Sequence, residues 1–255
     1  MPRILVTNDD GVFSEGIKLL AASLSQIAEV VVVAPDREQS ATGHSLTLHR
    51  PLRMQQIESD VYSVDGTPTD CVNLGVLWLL KDRPPDLVVS GVNFGANMGD
   101  DVTYSGTVSA TFEGTLLGIP SVAFSQEVGE NFSFEKATRF AKRFVEVLLS
   151  ESLPEDLLLN VNIPSAEIEG VRFTRLGKRR YQQVVVEKTD PRGKNYFWIA
   201  GTPEWQEEEG TDHSAVSSGW VSITPLHLDL TDYRGLEGHP DLEQRLNGLV
   251  EGLEE

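Results

Sequence analysis

The feature that most constrains the fold is an alternation: short apolar runs, of the kind buried on both faces of a parallel sheet, recur along the chain, most of them ending in a polar turn and several followed by a helical pattern. Arg3 to Thr7 is apolar and stops at Asn8-Asp9-Asp10-Gly11; Ile17, Leu19, Leu20 and Leu24 follow at helical spacing. Glu29 to Ala34 carries four consecutive valines and ends at Pro35-Asp36. Asp86 to Ser90, Ser121 to Ser125 and Leu157 to Ile163 read as further strands of this type. Between them, Thr67-Pro68-Thr69-Asp70 combines an N-cap, a first-turn proline and an acid, and predicts a helix to about Leu80. Ser105-Gly106-Thr107 opens a helix through Leu117 that Gly118-Ile119-Pro120 closes. Phe134 to Leu149 is amphipathic, with Phe140, Phe144, Val147 and Leu148 at core spacing.

Strands alternating with helices imply right-handed crossovers, and hence an α/β, Rossmann-like, mostly parallel sheet with helices on both faces, here over residues 1–164. His44 to Arg53 and Val61 to Asp65 suggest a β excursion within it. The segment Gly91 to Gly99 is too polar and glycine-rich to be core. Residues 165–255 are more β-like, with strands expected at Arg172 to Leu176, Gln183 to Val186, Tyr196 to Ala200 and Gly219 to Pro225. An acidic end follows from Glu237, expected as a short helix with a frayed tail.

Composition narrows the function classes. With 40% hydrophobic and 24% charged residues, 255 residues suffice for a globular core. The lone Cys71, read as packing, excludes an internal disulfide and a multi-cysteine zinc site. A formal charge of −18 disfavours a nucleic-acid polymer as partner. No run approaches the ~18 apolar residues of a membrane span, and the N-terminus enters a strand without signal-peptide organisation, so a cytoplasmic protein is expected.

In open α/β sheets ligands bind beyond the C-terminal ends of the strands. Adjacent Asp9 and Asp10 facing one dry site repel each other, and a divalent cation converts that repulsion into binding. Ser40 and Asn93 offer neutral oxygens that complete a hard set suited to Mg²⁺, Mn²⁺ or Ca²⁺. Asp-Asp-Gly also forms turns and caps helices, but its pairing with Asn93 and Asn97 after a second buried strand favours the metal. Ser105-Gly106-Thr107 offers backbone amides, two hydroxyls and a positive dipole end, features shared by an N-cap and a phosphate site. Thr42-Gly43-His44-Ser45 either adds contacts or is a turn. Lys178-Arg179-Arg180-Tyr181 reads as a solvated turn, with contact to a phosphate or a subunit as the alternative. The five histidines lack metalloprotease spacing, and neither a nucleophile elbow nor a Walker-type loop is present.

Taken together, Ile4 to Gly11, Val33-Ala34-Pro35-Asp36, Gln39 to Ser45, Gly66-Thr67-Pro68, Ser90-Gly91-Val92-Asn93, Gly95 to Gly99 and Ser105 to Ser109 resemble the SurE family of nucleotidases. Arg172-Phe173-Thr174-Arg175 and Gly219 to Pro225 extend the likeness across most of the chain. The resemblance implies hydrolysis of nucleoside 5′-monophosphates, often also of 3′-nucleotides and short polyphosphate, with a divalent cation, Mg²⁺ or Mn²⁺. It implies metal ligands at Asp9, Asp10, Ser40 and Asn93, and a homodimer or homotetramer in which the C-terminal β region reaches a partner. Asp9 is the expected catalytic group, and Asn97, Ser105, Gly106 and Thr107 the expected substrate contacts. The enzymatic rival is an aspartyl-phosphate route, disfavoured by the missing Asp-x-Asp spacing; the non-enzymatic rival is a nucleotide-binding sensor.

Overall fold

A computed structural model of the chain describes residues 1–130, 132–181, 184–200, 203–237, 244–247 and 249. In chain order its first half comprises β1 (Arg3–Thr7), α1 (Glu15–Leu24), β2 (Glu29–Pro35), β3 (Met54–Glu58), β4 (Val61–Val64), α2 (Pro68–Leu74), β5 (Leu87–Phe94), α3 (Gly106–Leu116) and β6 (Ser121–Gln126). The second comprises α4 (Phe134–Ser150), β7 (Leu158–Ile163), β8 (Gly170–Phe173), β9 (Arg179–Tyr181), β10 (Val184–Thr189), β11 (Asn195–Ala200), β12 (Pro203–Trp205), α5 (Asp212–Ser217), β13 (Trp220–Pro225) and α6 (Tyr233–Glu237). Among the described residues nine strands form one sheet in the order β3-β4-β2-β1-β5-β6-β7-β13-β8. β4, β2, β1, β5, β6 and β7 run parallel; β3 and β13 are antiparallel to β4 and β7.

Side-chain alternation along these strands feeds two cores. Ile4, Val6, Val89 and Phe124 pack with α1 and α4 on one face. Leu5, Val31, Val33 and Val88 pack with α2 and α3 on the other. The valine run of β2 therefore serves both faces, each buried side chain contributing about 1.5–3 kcal/mol. The mostly parallel α/β sheet with helices on both faces is thus the architecture expected. The β-rich region after Pro164, expected to belong to the same domain, contributes β8 and β13 to this sheet beyond β7.

Three local expectations are corrected, and one helix has the expected extent in an unexpected form. His44 to Arg53 is not a strand; several of its backbone groups bond to side chains, Thr47 N–H to Asp70 Oδ1 (2.9 Å), Arg53 N–H to Asp65 Oδ1 (2.8 Å), and Ser45 C=O from the Thr67 hydroxyl (2.8 Å), and the strand β3 begins only at Met54. The helix capped by Thr67 does begin with a Thr67–Asp70 capping box, but after Leu74 it widens into a π-helical turn, Gly75–Leu79. Val147 is 63% exposed; the buried stripe of α4 runs through Phe134, Ala137, Thr138, Ala141 and Val145. The glycine- and asparagine-rich segment is part of the core at its start, since β5 continues through fully buried Val92 to Phe94. The strand expected from Gln183 starts at Val184 (Gln183 itself lies outside the described residues), and most of the acidic end after Glu237 lies outside them as well.

Candidate active site

β1 sits between β2, reached by one crossover, and β5, reached by another in the opposite direction, so the strand order reverses at the β1–β5 seam. A crevice opens beyond the strand ends at such a reversal. Asp9 and Asp10 follow β1 there, and Asn93 lies near the end of β5.

The two aspartates diverge. Asp9 is buried, 5% exposed, and turns toward α3: its Oδ1 accepts the Thr107 hydroxyl, and a Cβ on Gly106 would lie 2.7 Å from the Asp9 Cβ. Only glycine lets the start of α3 approach so closely. Asp10 Oδ2 instead accepts the Phe94 backbone N–H at 3.4 Å. Burial raises the Asp9 carboxyl above its ordinary range, opposed by the Thr107 hydroxyl. Burial, and then the charge of Asp9, push Asp10 up to about 6.

Asn93 reaches the site through a bulge. Ser90 pairs with Ala123 but Asn93 with Ser125, so β5 fits one extra residue against β6. Gly91 makes this possible: its φ is +125°, and a Cβ there would meet the Phe124 carbonyl oxygen at 2.2 Å. The Asn93 Nδ2 donates to Gly95 C=O (2.8 Å), which leaves its oxygen end outside that bond.

Ser40 arrives on a loop tied at both ends. Gln39 N–H donates to Asp9 C=O (2.7 Å) and Gly43 N–H to Tyr104 C=O (3.1 Å). The Ser40 hydroxyl donates to Glu38 (2.7 Å) and keeps its lone pairs for an electrophile. Among the described residues no group of three or more His, Cys, Asp or Glu could hold a metal. An ion here would take two carboxylates and neutral oxygens. Two carboxyls raised by burial, with the Asn93 and Ser40 oxygens on neighbouring segments, are a donor set of the chemistry a hard divalent cation takes, and such an ion would offset their charge.

The expected phosphate contacts have structural duties. Ser105 caps α3, accepting the Val108 N–H at 3.1 Å, while Gly106 and Thr107 abut and hold Asp9. Asn97 is clamped: its N–H donates to Asn162 Oδ1, its carbonyl accepts from Asn160 and Asn162, and its Nδ2 donates to Ser125 Oγ, all at 2.7–2.9 Å. One hydrogen of that amide remains for a ligand.

Several residues here were missed by sequence reasoning. Buried Glu113 accepts His44 Nε2 (2.8 Å) and Asn73 Nδ2 (2.7 Å), fastening the Ser40 loop to α3; its charge inside a helix was the available signal. Asn160 and Asn162 alternate within an apolar strand, a polar face that marks a network. Buried Asp212, raised by desolvation, accepts the N–H of Gly99 and of Gly177 (2.8 Å each) and anchors the loop beyond Asn97. Arg179 is no solvated turn residue: it pairs with Asp101 and lies 5.2 Å from the Trp205 ring centre.

Comparison with known proteins shows the family and the fold. The family model described as survival protein SurE matches residues 4–183. A relative from Geobacter metallireducens named 5′-nucleotidase SurE is 57% identical, over 92% of this chain and 94% of its own. One of the same name from Aquifex aeolicus is 51% identical, over 95% and 99%. A crystal structure of the SurE protein from Aquifex aeolicus superposes with a TM-score of 0.85, covering 95% of this chain and all of that one.

Proposed function

The chain belongs to the SurE family, and from that premise we propose that it is a metal-dependent 5′-nucleotidase, a phosphoric monoester hydrolase acting on nucleoside 5′-monophosphates. The observation that carries the metal dependence is the pair of adjacent carboxyls, both raised by burial, at the sheet's reversal point with Asn93 and the Ser40 loop beside them.

Asp9, Asp10, Ser40 and Asn93 would hold the cation, Mg²⁺ or Mn²⁺. Such an ion supplies Lewis-acid polarisation of a phosphoryl oxygen and a more acidic water. Asp9 uses one carboxylate oxygen for Thr107 and offers the other to orient an attacking water and accept its proton. The water oxygen forms the new P–O bond in line as the ester P–O bond breaks, and the departing ribose oxygen is protonated from solvent. The start of α3 at Ser105-Gly106-Thr107 and the second amide hydrogen of Asn97 would steady the phosphoryl oxygens. A terminal phosphoryl group on a 3′-nucleotide or short polyphosphate presents the same chemistry, so the proposal extends to both.

A homodimer or homotetramer completes the reading. β10 and β11 pair with each other, and a two-stranded ribbon alone is marginal in water, yet this one exposes Val185 (62%), Phe197 (60%), Trp198 (62%) and Ile199 (94%). No described helix is long and apolar enough to cross a membrane. A cytoplasmic setting is proposed with the buried, free Cys71 in its support.

Phosphate release from adenosine or guanosine monophosphate with added manganese tests the activity. Turnover that a chelator abolishes is expected; metal-dependent nucleotide binding with no release would make the protein a sensor. Light scattering on the eluted protein tests the assembly, which a monomer would refute.

A further inference from the structure

Resting on the nucleotidase reading, we propose that Phe94 is the platform on which the substrate's nucleobase stacks, making it a specificity-determining residue of this site. Phe94 ends β5 directly after Asn93, and its N–H binds the Asp10 carboxylate. Phe94 is 56% exposed. The ring is also braced: Phe132 meets it edge to face at 4.8 Å, and Phe134, only 9% exposed at the start of α4, meets Phe132 at 4.7 Å. Phe134 in turn packs where a Cβ on Gly16 would touch it at 3.1 Å. A ladder of three rings thus runs from the core to the rim of the crevice. Phe13 and Tyr104 are as exposed, but among the described residues neither packs against another ring.

An edge-to-face contact occupies one face of a ring at most and leaves the other for a flat partner. A braced aromatic loses little conformational entropy when it is covered. Strand alternation places Phe94 on the α1/α4 side of the sheet, whereas Asp9, Thr107 and the start of α3 lie on the α2/α3 side. A nucleotide lying across the strand ends would set its phosphate on the second side and its base on the first. Stacking suits a chain of charge −18, because a neutral base is not repelled by that field.

The test compares adenosine 5′-monophosphate with ribose 5-phosphate, which carries the same phosphoryl group and sugar but no base. In Phe94→Ala the ratio of kcat/KM for the nucleotide to that for the sugar phosphate should fall about tenfold, through KM, as expected for the loss of one base–aromatic stack. Phe94→Trp should restore the ratio; Phe94→Leu, equally apolar but not flat, should not. An unchanged ratio in Phe94→Ala, or full rescue by leucine, overturns the proposal while leaving the nucleotidase reading intact. Failure of the wild type to hydrolyse either compound with manganese would overturn both.

Discussion

The two sides of the crevice differ in how they treat the same residue type. Asp9 and Asp10 are consecutive, yet Asp9 is buried against the start of α3 with the Thr107 side chain bonded to it, while Asp10 is half-buried and held by a backbone N–H next to an exposed ring. On the α2/α3 side the crevice is closed by polar groups, Asp9 with Thr107 and, separately, Asn97 with Ser125, Asn160 and Asn162. On the α1/α4 side the rim is aromatic and partly open. The difference fits a division of labour, with polar support where charge would be handled and a braced apolar ring where a neutral group would be recognised.

The largest effect should follow from substitution on the closed side. Asp9→Asn keeps the shape and the Thr107 contact but removes the charge and the proton acceptor, so turnover should fall at least about a thousandfold. Circular dichroism and melting should show an intact fold. Near-wild-type rates would remove Asp9 from the chemistry and erase the distinction between the two carboxylates.

A smaller effect is expected one layer out. Thr107→Val preserves volume and deletes the hydroxyl bonded to Asp9, a supporting contact whose loss typically costs about 10–100-fold in metal affinity or rate. The manganese concentration giving half-maximal activity should rise accordingly, and Thr107→Ser should recover it. The partner of Asp10 is a main-chain N–H, which a volume-preserving side-chain change leaves in place. An unchanged manganese requirement in Thr107→Val would show that the two aspartates are supported alike.

Much of the closed side was legible in the sequence, because each strand end there announces itself by an apolar run stopping at Asn, Asp or Ser. Asn8-Asp9-Asp10 after β1 and the Ser105 cap are local signals, and the structure places them where local rules predict. What sequence could not reveal are features set by contacts distant in the chain. The bulge that brings Asn93 into place depends on Gly91 meeting the carbonyl of Phe124, from another strand. The segment 44–53 alternates only roughly, too weak a signal to separate strand from loop, and Asp65, Asp70 and Thr67 bond to backbone groups along it. Glu113 and Asp212 are ordinary acids until folding delivers the N–H groups they accept. The aromatic ladder joins β5 to α4 over some forty residues, beyond any periodicity.

The mildest and most diagnostic contrast concerns Asp10 without metal. In the folded, metal-free protein its carboxyl is pushed up to about 6, whereas an unfolded chain titrates near 3.8. The native state therefore retains this proton to higher pH than the unfolded state does. The stability linked to it is full below about pH 4 and is lost as pH rises through about 6. Asp10→Asn removes that loss, so the metal-free variant should be more stable than wild type at pH 7 by on the order of 1 kcal/mol, allowing for solvent screening of a half-buried group. For a chain of this size that is about 2–4 °C in Tm, narrowing toward pH 4. Manganese should reverse the order, since the wild type gains by binding and the variant has lost a ligand. A thermal melt series from pH 4 to 8, with and without manganese, reads both arms. A wild type that is the more stable of the two at pH 7 without metal would mean that the Asp10 charge is already compensated within the protein, and the case for a cation between the paired aspartates would fail.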